Sequence, residues 1–90
     1  MSKTHELKIS DWYFSAVATG LKPYEVRKDD RGYQLGDKLR LREICHDTGE
    51  YTSREFTTPP IRHMLYGSKQ FKWLGIKDGF VVLSWRPGDN

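Results

Sequence analysis

Gly20-Leu21-Lys22-Pro23-Tyr24-Glu25-Val26-Arg27-Lys28-Asp29-Asp30-Arg31-Gly32-Tyr33 divides the chain into a helical pattern before it and strand patterns after it. Pro23 forbids a helix through the stretch and drives Lys22 towards an extended backbone. Gly20 suits the end of a preceding helix, because a left-handed conformation costs glycine little. Tyr24 to Lys28 then reads as a strand, with Glu25 and Arg27 facing one way and Tyr24, Val26 and Lys28 the other. Asp29-Asp30-Arg31-Gly32 is a polar turn. A fold does not require this density of Lys, Glu, Arg and Asp, so the stretch reads as a site.

Upstream, His5 to Ile9 alternates loosely and predicts a first strand with Leu7 and Ile9 on one side. Ser10 and Asp11 offer an N-cap to a helix over Asp11 to Thr19. At about 100° per residue, Tyr13, Phe14 and Val17 share the face expected to meet the core. Trp12, Ser15 and Thr19 fall on the opposite face. Downstream, Leu35-Gly36-Asp37 launches a strand over Lys38 to Ile44, with Leu39 and Leu41 inward and Lys38, Arg40 and Arg42 outward. Asp47-Thr48-Gly49 has hairpin chemistry, and Tyr51 to Thr57 returns as the partner strand. Pro59-Pro60 interrupts the ladder. Ile61 to Tyr66 is a further strand. Between Gly67 and Gly79, Trp73, Leu74 and Ile76 are expected to tuck onto the core through a turn of helix. Phe80-Val81-Val82-Leu83 is a continuous apolar run, the pattern of a strand buried on both faces, with Trp85 capping its end. Residues 1–4 and 87–90 are expected as frayed tails.

Ninety residues make one domain. A chain of this size buries roughly 60–65% of its unfolded surface, enough for one modest core. An aromatic share of 13% helps to fill that core. The fold class expected is α+β, mainly β: a small mixed or Greek-key barrel of five or six strands with one N-terminal helix packed on it. The single cysteine, Cys45, excludes an internal disulfide and points away from a secreted disulfide scaffold. No apolar run approaches a membrane span, and Met1-Ser2-Lys3-Thr4 has no apolar segment behind its lysine. A soluble, cytoplasmic, monomeric protein is the expectation. The net charge of +3 favours anionic partners only mildly.

In Lys22, Glu25 and Arg27, a glutamate between two cations stays ionised. That arrangement suits a plain surface ion pair. It also suits a polar cluster at a barrel mouth, where Arg grips phosphate or a base edge and Glu accepts from an exocyclic amine. Asp29 caps a turn, while Asp30 is placed to orient Arg31 or Arg27. Cys45 and His46 are adjacent in a strand and point to opposite faces, so they do not form a nucleophile and base. Structural roles are the default for His5 and His63. No metal-ligand spacing, Gly-rich phosphate loop, G-x-S-x-G or C-x-x-C is present, so no cofactor is expected.

Basic and aromatic residues interleave through Arg27, Lys28, Arg31 and Tyr33, then Lys38, Arg40 and Arg42, then Arg62, Tyr66, Lys69, Lys72 and Trp73. Single-strand binders combine cations for the backbone with rings for stacking. Tyr33 and the outward-facing Trp12 are the stacking candidates. A solvated strand face that discourages edge pairing accounts equally for Arg40 and Arg42.

The spacing Gly20-x-Lys22-x-x-Glu25-x-Arg27 resembles the G-x-K-x-x-E-x-R signature of ASCH domains, in the PUA-like superfamily. The chain as a whole is similar to small stand-alone ASCH-related proteins of bacteria and phages. The similarity runs through His5 to Lys8, Tyr13-Phe14, Asp30-Arg31, Leu35-Gly36-Asp37, Leu41 with Glu43, Gly49-x-Tyr51-Thr52 and Gly79 to Leu83. It implies a PUA-like β-barrel whose central cleft is lined by Lys22, Glu25 and Arg27, and binding of RNA there. One branch of the superfamily hydrolyses the amide of N4-acetylcytidine. That branch keeps lysine where Lys22 stands but has threonine in place of Glu25, so the hydroxyl nucleophile is missing here.

Three expectations follow. The first is a module binding RNA, single-stranded nucleic acid or a nucleoside-type small ligand through Lys22, Glu25, Arg27, Arg31, Tyr33 and Trp12. The second is a small hydrolase of a modified nucleoside or RNA, with Lys22 and Glu25 as an acid–base pair. The third is a protein-interaction or inhibitor module.

Overall fold

The alternation of His5, Leu7 and Ile9 with Glu6 and Lys8 makes β1 (Thr4–Ser10), which buries the first set and exposes the second. In the computed structural model, which describes residues 2–89, β1 leads into α1 (Asp11–Ala18). The strands β2 (Tyr24–Lys28), β3 (Lys38–Ile44), β4 (Tyr51–Thr57) and β5 (Ile61–Tyr66) follow. A 3-10 turn over Lys72–Leu74 then precedes β6 (Phe80–Trp85).

The protein is mainly β: among the described residues there is one α-helix, and six strands form two three-stranded sheets, ordered β1-β3-β4 and β2-β6-β5. β1 and β3 run parallel, with Leu7 opposite Leu41 and Ile9 opposite Glu43. The other pairs are antiparallel. The inner faces meet over Leu7, Ile9, Leu39, Leu41, Ile61, Val81, Leu83 and Trp85, with Phe14 and Val17 of α1 closing the core. The expected closed barrel is not what the described residues form. β1 and β2 are edge strands of different sheets and share no ladder.

The Ser10 hydroxyl accepts from the Trp12 amide and starts α1. Its core stripe is Phe14, Val17 and Ala18, the i, i+3, i+4 set. Tyr13, expected in the core, sits on the flank of that stripe and is half exposed. Gly20 adopts φ +87°, and a Cβ there would press on Pro87 at 3.3 Å. This turn sends the chain back into β2.

Two further expectations are corrected. Trp73 does not tuck onto the core but stands 79% exposed, while Leu74 and Ile76 are partly buried. β6 is not buried on both faces: Val81, Leu83 and Trp85 point inward, and Phe80 and Val82 are only partly covered. Trp85 is thus a core residue rather than a cap. Each tail makes a polar contact with the body of the fold. The Lys3 amide donates to Asp37 Oδ1 at 2.9 Å, and Arg62 pairs with Asp89 at 2.7 Å. Met1 and Asn90, the outermost residues of those tails, lie outside the described residues. Among the described residues, no helix is long and apolar enough to cross a membrane.

Candidate functional site

β2 carries two of its charged residues, Glu25 and Arg27, inward, and leaves Lys28 exposed. Glu25 pairs with Leu83 and Arg27 with Val81 across the β2–β6 ladder, while Tyr24 and Val26 face out. Glu25 is therefore only 5% exposed, and a carboxylate so placed is tolerable only with partners. It has them on both sides. Lys22 Nζ donates to Oε1 at 2.6 Å, and Arg27 Nε donates to Oε2 at 3.0 Å. Pro23 extends the backbone between Lys22 and Glu25, so the lysine reaches back and also donates to the Tyr24 carbonyl at 2.9 Å. The Lys22 ammonium lies over the Tyr24 and Tyr13 rings, 4.8 and 5.5 Å from their centroids.

Arg27 extends the cluster across the gap between the sheets. Its Nη2 donates to the Lys8 carbonyl at 2.7 Å. Arg31 does the same one step along, donating to the Glu6 carbonyl at 3.1 Å. Two guanidinium groups thus close the seam that a ladder would close in a barrel. Over the seam lies an open groove of about 370 Å³, lined by Glu6, Leu7, Lys8, Arg27, Arg31 and Tyr51. The Arg42 guanidinium stacks 3.9 Å from the Tyr51 ring centroid, with Lys8 at 5.7 Å on the same ring. Cations outnumber carboxylates along the groove, and Glu6, the one acid lining it, is paired with Arg42 at 2.9 Å. Asp30 lines an adjoining hollow with Arg27 and Arg31.

The expected residues are therefore divided. Lys22, Glu25 and Arg27 converge, and Arg31 joins Arg27 at the groove. Tyr33 does not offer a stacking face, because it is 3% exposed and meets the His5 ring edge-on at 4.8 Å. Burial pushes its hydroxyl pKa up, against the pull of Arg31 and Arg27. The turn after Arg31 folds the ring under β1 rather than out to solvent. Trp12 is exposed as expected, but it rests against His46 near the β3–β4 turn, with ring centroids 4.8 Å apart.

A second buried carboxylate escaped the reading of the sequence. Glu43 accepts from Thr52 Oγ1 at 2.5 Å and pairs with Arg54 Nε at 3.1 Å. The Arg54 guanidinium also covers the Phe14 ring at 4.5 Å. The signal was the alternation of β3, which puts Glu43 on the face of Leu39 and Leu41. Asp37 is a third. It is 1% exposed and accepts from the Lys3 and Gln34 amides, with His5 Nε2 at 2.7 Å. Burial works to raise its carboxyl pKa, but these hydrogen bonds together hold it below the ordinary value. Among the described residues, no group of three or more His, Cys, Asp or Glu side chains is arranged to hold a metal ion.

The chain belongs to the family described as "Domain of unknown function (DUF3850)", which matches residues 4–85. That span runs from the start of β1 to the end of β6. The chain is also similar to a protein of Escherichia phage P2 described as "Uncharacterized 12.9 kDa protein in GpA 3'region". The two are 44% identical over 55 residues, covering 61% of this chain and 49% of the phage protein. The chain thus spans about half the length of that curated relative.

Proposed function

We propose that this protein is a nucleic-acid-binding module of the ASCH type, a PUA-like fold opened along one seam, that holds single-stranded RNA or a nucleobase in the groove between β1 and β2. The observation that carries this reading is the pair Arg27 and Arg31, side by side across the seam, with Lys8 and Tyr51 on the opposite wall. Guanidinium groups suit phosphate oxygens and base edges, and an aromatic ring beside them suits a stacked base. Glu25 positions rather than contacts. Both its oxygens are committed to Lys22 and Arg27, so it sets the angle of the guanidinium.

The same commitment weighs against the hydrolase alternative. Both Glu25 oxygens already accept hydrogen bonds from cations, and no hydroxyl stands at position 25 to attack an amide.

The test is binding of labelled single-stranded RNA as salt rises from about 50 to about 200 mM, where neutralised phosphates predict a steep fall in affinity. Arg31→Ala removes an exposed groove cation and is expected to weaken binding with little change in melting temperature. Absence of binding at low salt, or binding indifferent to Arg31, sinks the proposal.

A further inference from the structure

The segment between β5 and β6 is a folded lobe. Its neck is closed by the Gly67 amide donating to the Phe80 carbonyl at 2.8 Å. A Cβ on Gly67 would lie 1.9 Å from the Lys77 carbonyl oxygen, so the neck packs backbone against backbone. Within the lobe, the Leu74 amide donates to Phe71 at 3.1 Å and the Gly75 amide to Lys72 at 2.9 Å, with Gly75 left-handed at φ +76°. This tight frame presents Trp73 79% exposed and Phe71 46% exposed. Hydrophobic burial cannot explain an indole held out in this way. Around a hollow of about 320 Å³, Lys69, Lys72 and Lys77 stand against a single acid, Asp78.

The lobe also has a definite place relative to the groove. Lys28 is opposite Phe80 in the β2–β6 ladder, and the Asp29 amide donates to the Gly79 carbonyl at 2.8 Å. The base of the lobe is therefore bonded to the turn that carries Arg31. We infer that the lobe is a second contact for the same single strand, with Trp73 stacking a base and the three lysines holding phosphates. This inference rests on the groove reading and extends it. The pairing of an exposed ring with an excess of ammonium groups is the chemistry that single-stranded nucleic acid recognises without sequence preference.

The experiment measures binding of labelled oligouridines of about four and about twelve nucleotides, lengths within the range that such sites cover. Wild type, Trp73→Ala, Trp73→Phe and Arg31→Ala are compared at low salt, with melting temperatures confirming that each is folded. Trp73→Ala is expected to weaken the longer strand at least about five-fold, the loss of one stacked base. Trp73→Phe should recover part of that loss, and the shorter strand should be nearly unaffected by either. Arg31→Ala is expected to weaken both lengths. If Trp73→Ala binds the longer strand like wild type while Arg31→Ala does not, the lobe proposal is overturned and the groove stands. If Trp73→Ala weakens binding and Arg31→Ala does not, the lobe is upheld and the groove reading falls. A wild type that binds neither length overturns both. A Trp73 effect seen only on phosphatidylserine vesicles overturns the lobe proposal alone and marks the lobe as facing lipid.

Discussion

The Arg27 guanidinium donates to the Lys8 carbonyl at 2.7 Å, and so joins two sheets that share no ladder. Its Nη2 also lies 2.8 Å from Glu25, the carboxylate that β2 turns into the interior. One side chain therefore closes the seam and neutralises the charge beneath it.

Arg27→Ala should destabilise the protein by about 2–3 kcal/mol in urea titration. Breaking a buried pair costs about 3–5 kcal/mol, and Lys22 remains on Glu25 to soften the loss. Arg27→Lys should restore only part of it, because an ammonium lacks the fork that spans two acceptors. A fully stable Arg27→Ala variant would mean that Lys22 alone satisfies Glu25.

Thr58 offers a cleaner measure of buried hydrogen bonding. Its hydroxyl accepts from the Leu39 amide at 3.0 Å and donates to the Pro59 carbonyl at 2.9 Å, at 1% exposure. Thr58→Val keeps the shape and orphans the Leu39 N–H, so a loss of about 1–3 kcal/mol is expected. A loss below about 0.5 kcal/mol would show that the amide finds another acceptor.

Acid should act through Asp37. Its carboxyl lies below the ordinary 3.8 in the folded protein, so the unfolded chain takes up a proton first. The stability it contributes is present above that ordinary value and is lost as pH falls through the lower folded one. Melting temperatures taken from about pH 6 to about pH 2 should fall in wild type. They should fall less in Asp37→Asn, which starts lower. The slope will not vanish, because Arg40 lowers Glu55, and His46 outweighs desolvation to lower Asp11. An unchanged slope in Asp37→Asn would remove Asp37 from the account.

Gly67→Ala should disturb the lobe. The added methyl would sit 1.9 Å from a backbone oxygen, and a backbone neighbour cannot swing aside. A loss of about 1–3 kcal/mol is expected, with proteolysis becoming faster between residues 67 and 79. Equal protease resistance in the two proteins would show that the neck tolerates widening.

The sequence revealed most where alternation was strict. β2 and β3 stand at the residues that their alternation marks, Pro23 and Gly20 place the turn before β2, and β4 and β5 fall where the hairpin turn and Pro59-Pro60 bound them. Alternation shows which residues share a face but not which face lies inside. Glu25 and Arg27 were seen to share a side, yet only the sheet pairing shows that this side is the interior. Tyr33 follows a polar turn and looks exposed, but His5, 28 positions earlier, covers it. Glu43 went unread: it holds the third inward position of β3, but its partners arrive from β4. Trp73 misled for the opposite reason: an indole in a 3-10 turn beside Leu74 looks like core, yet it stands 79% exposed.

The opening between β1 and β2 is bounded by side chains at positions 27 and 31 and by no peptide bonding. Its width and charge can therefore be rewritten at two codons while every backbone bond of both sheets stays in place. Of the two, position 31 is the one free to drift, because Arg27 also holds the buried Glu25 carboxylate and cannot change without weakening the fold.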